Sequence, residues 1–171
     1  MTDDVNNYID KYVSSYQNRA YDFDKDEIIK LKSIYGDNLP KYLTAAYKIS
    51  KPSAARILMI LLLHMYPHLA ASLIYKEYES CPDAEKTWYI TILSEVNCAP
   101  AIRMLEAIAT KEANETIRAE AVQELMHYGD RQSIKALEKV REEDNGSSFD
   151  GIPISHLADV ALEIIRQRIT S

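Results

Sequence analysis

Few residues in this chain have both the type and the spacing that chemistry requires. His64 and His68 in "HMYPH" stand four apart, a helical spacing for two metal ligands. Pro67 lies between them and breaks a helix, and no third ligand is near in sequence. Cys81 and Cys98 lack metal or redox spacing and read as two free thiols. The carboxylate runs "AYDFDKDE" and "REEDNGSSFD" do not fit the calcium-loop pattern. The first reads as helix-start carboxylates favoured by the helix dipole, the second as a solvated loop. The four glycines are isolated, so no phosphate-cradling loop exists, and no serine nucleophile elbow is found. His127 and His156 read as capping or surface residues. No cofactor, no metal and no catalysis are expected.

The elements around these residues are more informative. "TIRAEAVQELMHYGDRQSIKALEKV" reads as a helix, a turn and a second helix. Ile117, Ala121, Val122 and Leu125 follow helical spacing. Asn114 is placed to cap the first helix, Gly129 to end it with a left-handed residue, and Asp130 to cap the second. A step back of 32 residues superposes Tyr89, Ile90 and Leu93 on Ala121, Val122 and Leu125, with Asn97 falling on Gly129. Another such step brings Ile57, Leu58 and Leu61 into the same register. Forward by 40 residues, Leu157, Ala161, Leu162 and Ile165 match, the extra length fitting the Gly-containing polar loop. One hairpin cannot bury its apolar stripe alone, so stacked neighbours must complete the core.

These residues resemble HEAT repeats, in particular the shorter phycobilisome-lyase type, best in residues 84–142. The resemblance rests on Ile117-Arg118, Ala121, Leu125, the Gly129-Asp130 turn and an Ile-x-x-Leu second helix. In the preceding copy Lys86 stands in place of the arginine, and Asn97-Cys98 in place of Gly-Asp. Ankyrin repeats have a similar period, but their Thr-Pro-Leu-His signature is absent. The expected fold is all-α, a right-handed α-α superhelix (a HEAT-like solenoid) forming one domain over residues 1–171. Residues 1–50 would form an N-terminal helical cap, 51–143 three hairpins and 152–171 a C-terminal capping helix. Helices are predicted near 53–65, 68–79, 84–96, 99–111, 115–128, 131–142 and 153–168. Leu61, Leu93 and Leu125 should form one buried column. In the cap, Tyr8, Tyr12 and Tyr16 recur every fourth residue, Asp24 and Glu27 resemble a capping box, and Asn38 precedes a further helix.

The 171 residues carry a formal net charge of -6, which disfavours nucleic acid and anionic membranes. The N-terminus lacks an apolar signal segment, and the longest apolar run is half a membrane span, so a cytoplasmic protein is expected. HEAT-like folds line one face with their second helices. There the register sets Arg103 beside Lys135 and Glu106 beside Glu138, with Tyr75 and Tyr78 at one end. These six residues are the expected partner-binding surface. Trp88 and Ile92 fall on Glu120 and Glu124 and thus point away from the main stripe, either covered or forming a contact patch. A non-catalytic protein-binding module follows. Size and charge suit a bacterial immunity or antitoxin protein that masks a basic toxin domain. The family resemblance also admits a chromophore (bilin) lyase-like or chaperone subunit, and less readily a HEAT-like DNA glycosylase.

Overall fold

Apolar residues at helical spacing, punctuated by short turns, give helices across the described residues. The structure, a computed structural model, describes residues 25–49, 59, 61–62, 65–96 and 98–171. Among these residues it is all-helical, without a strand; Ser147 and Pro153 form one isolated bridge. The chain divides into two compact units, residues 1–70 and 71–171, with the boundary inside a helix.

In the first unit, α1 (Lys25–Tyr35) is joined to α2 (Leu39–Ile49) by a 3₁₀ turn, Gly36–Asn38. Gly36 has a φ of +50°, the left-handed geometry that only glycine adopts at little cost. Leu39 and Leu43 are buried, as are Met59, Leu61 and Leu62. Much of the expected helix 53–65 lies outside the described residues. So do the tyrosine stripe, Asp24, His64 and the Asn97 turn.

The boundary falls in α3 (Pro67–Ser80), which starts at Pro67 as a first-turn proline allows. Five helices follow: α4 (Asp83–Val96), α5 (Ala99–Lys111), α6 (Glu115–Tyr128), α7 (Ser133–Glu143) and α8 (Ile154–Thr170). Their bounds match the predicted spans closely. Helix α4 packs on α6 and α6 on α8, forming one layer, while α5 packs on α7 in a second. The register aligns the core. Tyr89, Ile90 and Leu93 of α4, Ala121, Val122 and Leu125 of α6, and Ala161, Leu162 and Ile165 of α8 are all buried.

The turns show both agreement and correction. Asn114 caps α6, its Oδ1 accepting from the Thr116 and Ile117 amides at 3.0 and 3.4 Å. Asp130 Oδ1 accepts from the Gln132 and Ser133 amides at 2.8 and 3.2 Å. Gly129 is not left-handed: its φ is −59° and ψ 147°. Close approach explains the glycine instead. A Cβ there would lie 2.5 Å from the Leu125 carbonyl oxygen and 2.7 Å from Ile165 Cδ1. Arg168 seals this end of α6, donating to the carbonyls of Met126 and Gly129 at 2.6 and 3.1 Å. Ile92 is wholly buried and Trp88 half-buried, so an open contact patch at Ile92 is ruled out.

Gly129→Ala is therefore expected to cost about 1–3 kcal/mol, the usual range for overpacking, because backbone opposes the added methyl. Urea unfolding followed by circular dichroism checks this. Helicity in water should be unchanged and the midpoint lowered.

Candidate functional site

Each hairpin of the second unit is closed by one cation and one carboxylate. In the first turn of α6, Arg118 grips Asp144, the residue that ends α7. Nε donates to Oδ2 at 2.7 Å and Nη2 to Oδ1 at 3.0 Å. Arg118 Nη1 also donates to the carbonyls of Glu112 and Ala113, both at 2.9 Å. One hairpin earlier, Lys86 in the first turn of α4 donates to Glu112, which ends α5, at 3.0 Å. Lys86 and Arg118 are 32 residues apart, as are Glu112 and Asp144. The lysine that departs from the arginine of the resemblance makes the same bond. Both carboxylate side chains are only 8% exposed.

Further contacts tie the same ends together. Asp83, opening α4, accepts from Asn114 Nδ2 at 2.9 Å, and Glu115, opening α6, accepts from the Ser147 amide at 3.1 Å. Tyr78 of α3 reaches the first pair, its hydroxyl donating to Glu112 Oε2 at 2.5 Å, with Lys86 Nζ 5.2 Å from its ring centroid. Burial and the Glu112 carboxylate both push the Tyr78 hydroxyl pKa up. Burial raises the Glu112 pKa, but hydrogen bonds from Tyr78, Lys86 and the Asn114 amide outweigh it and hold the carboxyl low. The Arg118 guanidinium holds Asp144 low.

Over each pair lies a groove. One, of ≈ 370 Å³, runs between α3 and α5 above Lys86 and Glu112, and includes Tyr75, Met104 and Ile108. The other, of ≈ 300 Å³, runs between α5 and α7 above Arg118 and Asp144. Of ten residues lining the first, eight recur in the second when shifted by 32 (Glu79 on Lys111, Lys111 on Glu143, Ala107 on Lys139, among others), so these are two copies of one groove. Lys111 lines both. The floor charges are internally satisfied, and the rim is formed by Tyr75 and Glu79, then Lys111, then Lys139 and Glu143.

The six residues expected to bind a partner differ in exposure and in the contacts they make within the chain. Tyr75 is 48% exposed and rims the first groove. Tyr78 is 6% exposed and belongs to its floor. Arg103 is engaged within the chain, with Glu106 and with Asp130 across the turn before α7. Glu138 accepts from Arg166 at 2.7 Å, while Lys135 is exposed. The Lys86–Glu112 and Arg118–Asp144 pairs escaped the sequence reading. Their signal was there: a cation and a carboxylate 26 residues apart, repeated after 32.

Away from the grooves, Glu124 sits where the register aligns it with buried Ile92. Burial raises its pKa, opposed in part by a hydrogen bond from Ser94. Among the described residues, no group of three His, Cys, Asp or Glu could hold a metal, and no helix is long and apolar enough to cross a membrane. Compared with protein-family models, curated proteins and solved structures, the chain matches none.

Two opposite pH effects follow. Glu112, Asp144 and Asp130 have depressed folded pKa values. Their contribution is present above the unfolded values near about 4 and lost as pH falls through the folded ones. Glu124 has a raised folded pKa, so its charged form opposes folding at neutral pH. Glu124→Gln is expected to raise Tm at pH 7 and to match wild type below about pH 4, where the native glutamate is protonated in both states. Thermal melts across pH 3–8 check the sign.

Proposed function

We propose that this chain is a non-catalytic HEAT-like solenoid protein that binds another protein along the edge carrying the two grooves. The observation that supports this reading is the groove itself, present twice in the same register. Repeated sites on rigid helical hairpins suit an extended partner surface rather than a single small molecule. The rim carries both signs, Lys111 and Lys139 alternating with Glu79 and Glu143. A phosphate backbone would call for an unbroken cationic track, so this mixture favours protein.

Charge indicates the kind of partner. Residues 71–171 hold eleven Lys and Arg against eighteen Asp and Glu, so the acidity of the chain resides in this unit. A basic protein is the natural complement. A small acidic module that covers a basic protein surface is the arrangement of an immunity or antitoxin protein, and that is the role we assign.

The test is co-purification from native cells, followed by binding kinetics with the purified partner. Tyr75→Ala should speed dissociation by about tenfold, as loss of an aromatic anchor does. Lys111→Glu should change association rate and salt dependence. Arg103→Ala should leave both rates within about twofold, since Arg103 serves the fold. Groove variants that all bind like wild type would remove the basis for this reading.

A further inference from the structure

Phe149 is 89% exposed, more than any other large apolar side chain among the described residues. It stands at the tip of the connection between α7 and α8, and that connection is tied down. Asp144, gripped by Arg118, accepts from the Gly146 amide at 2.8 Å. The Ser147 amide donates to Glu115 at 3.1 Å, and the Ile154 amide to the Gly146 carbonyl at 3.0 Å. At the tip, the Ser148 amide donates to the Ile152 carbonyl at 2.8 Å, and the Ile152 amide returns a bond to Ser148 Oγ at 3.1 Å. Gly151 completes the turn at a φ of +77°. Gly146 lies so close to Glu115 and Arg118 that a Cβ would fall 2.8 Å from Glu115 Oε2.

The ordering of this loop is thus supplied by the fold, while the side chain at its tip gains nothing from folding. An aromatic ring held in solvent on an ordered loop has already met the conformational cost of binding. Its surroundings specify the complement. Asp150 beside it is exposed, and from Glu142 to Ile165 the sequence contains no lysine or arginine, while Glu142 and Glu143 at the end of α7 pair with Arg141 and Lys139. Such a rim repels anionic lipid and nucleic acid.

We infer that residues 144–153 form a preformed binding loop whose anchor, Phe149, enters an apolar pocket of a protein partner rimmed by lysine or arginine. This rests on the protein-binding reading above and adds a second contact point to it. Arg118 links the two, since it holds the start of the loop and floors the second groove.

The experiment places a photo-crosslinking phenylalanine analogue at position 149 of the full chain, and in a second preparation at position 111, in native cells. The supporting result is a crosslink from 149 to a single protein which, once purified, binds the wild-type chain. Phe149→Ala should then raise Kd at least about tenfold, Phe149→Trp should retain binding, and Asp150→Lys should weaken it in a salt-dependent way. Circular dichroism should be the same for all three variants. A crosslink from 111 but not from 149, or a Phe149→Ala variant that binds like wild type, overturns the loop and leaves the groove reading standing. A crosslink from 149 only to lipid or to a second copy of the chain also overturns it. No crosslink from either position overturns both.

Discussion

In each of the hairpins α4–α5 and α6–α7, a cation in the first turn of the first helix holds the carboxylate that ends the second. Lys86 with Glu112 and Arg118 with Asp144 fix the one relation that helical propensity cannot, namely where the far end of a hairpin returns to. The carboxylate ends lie almost out of solvent, so a lone charge there would be costly. The geometry answers that cost. Asp144 takes two nitrogens of one guanidinium and the Gly146 amide; Glu112 takes Lys86, Tyr78 and two backbone amides. Planar guanidinium and compact ammonium serve the same position, but only arginine can also reach the Glu112 and Ala113 carbonyls.

Several features of the surface follow from this arrangement. Because the paired charges occupy the groove floors and are satisfied there, on the proposed reading a partner would meet the rim. The same pair that closes the second hairpin anchors the loop that presents Phe149. A change at Arg118 would therefore disturb the hairpin, the second groove and the loop together. The expected acid sensitivity of the fold and the placement of the Phe149 loop share one origin.

The sequence made much of this legible where local physics decides. The 32-residue register, the helix bounds from Ala99 to Tyr128, the Asn114 cap and the burial of Leu93 and Leu125 all follow from apolar spacing and capping chemistry. It was less informative where residues distant in the chain meet. Gly129 is expected for its backbone freedom, yet it is required by the close approach of the Leu125 carbonyl oxygen, with Ile165, 36 residues on, closing the other side. Arg103 and Glu106 sit at outward-facing register positions, but Asp130 from the next hairpin draws Arg103 into an internal network. Tyr78 was expected at a surface and is instead a floor residue, because Glu112 receives its hydroxyl. Helical periodicity tells which side a residue leaves the helix, not what waits there.

The two ion pairs thus act as equivalent closures of equivalent hairpins. Double-mutant cycles on Lys86–Glu112 and Arg118–Asp144, read by urea unfolding at neutral pH, test it most directly. Lys86→Met, Glu112→Gln, Arg118→Met and Asp144→Asn with their two double mutants make up the set. Favourable coupling above about 1 kcal/mol is expected within each pair, well beyond the few tenths found for exposed pairs. Coupling below about 0.3 kcal/mol in both pairs, or in one pair alone, would contradict it.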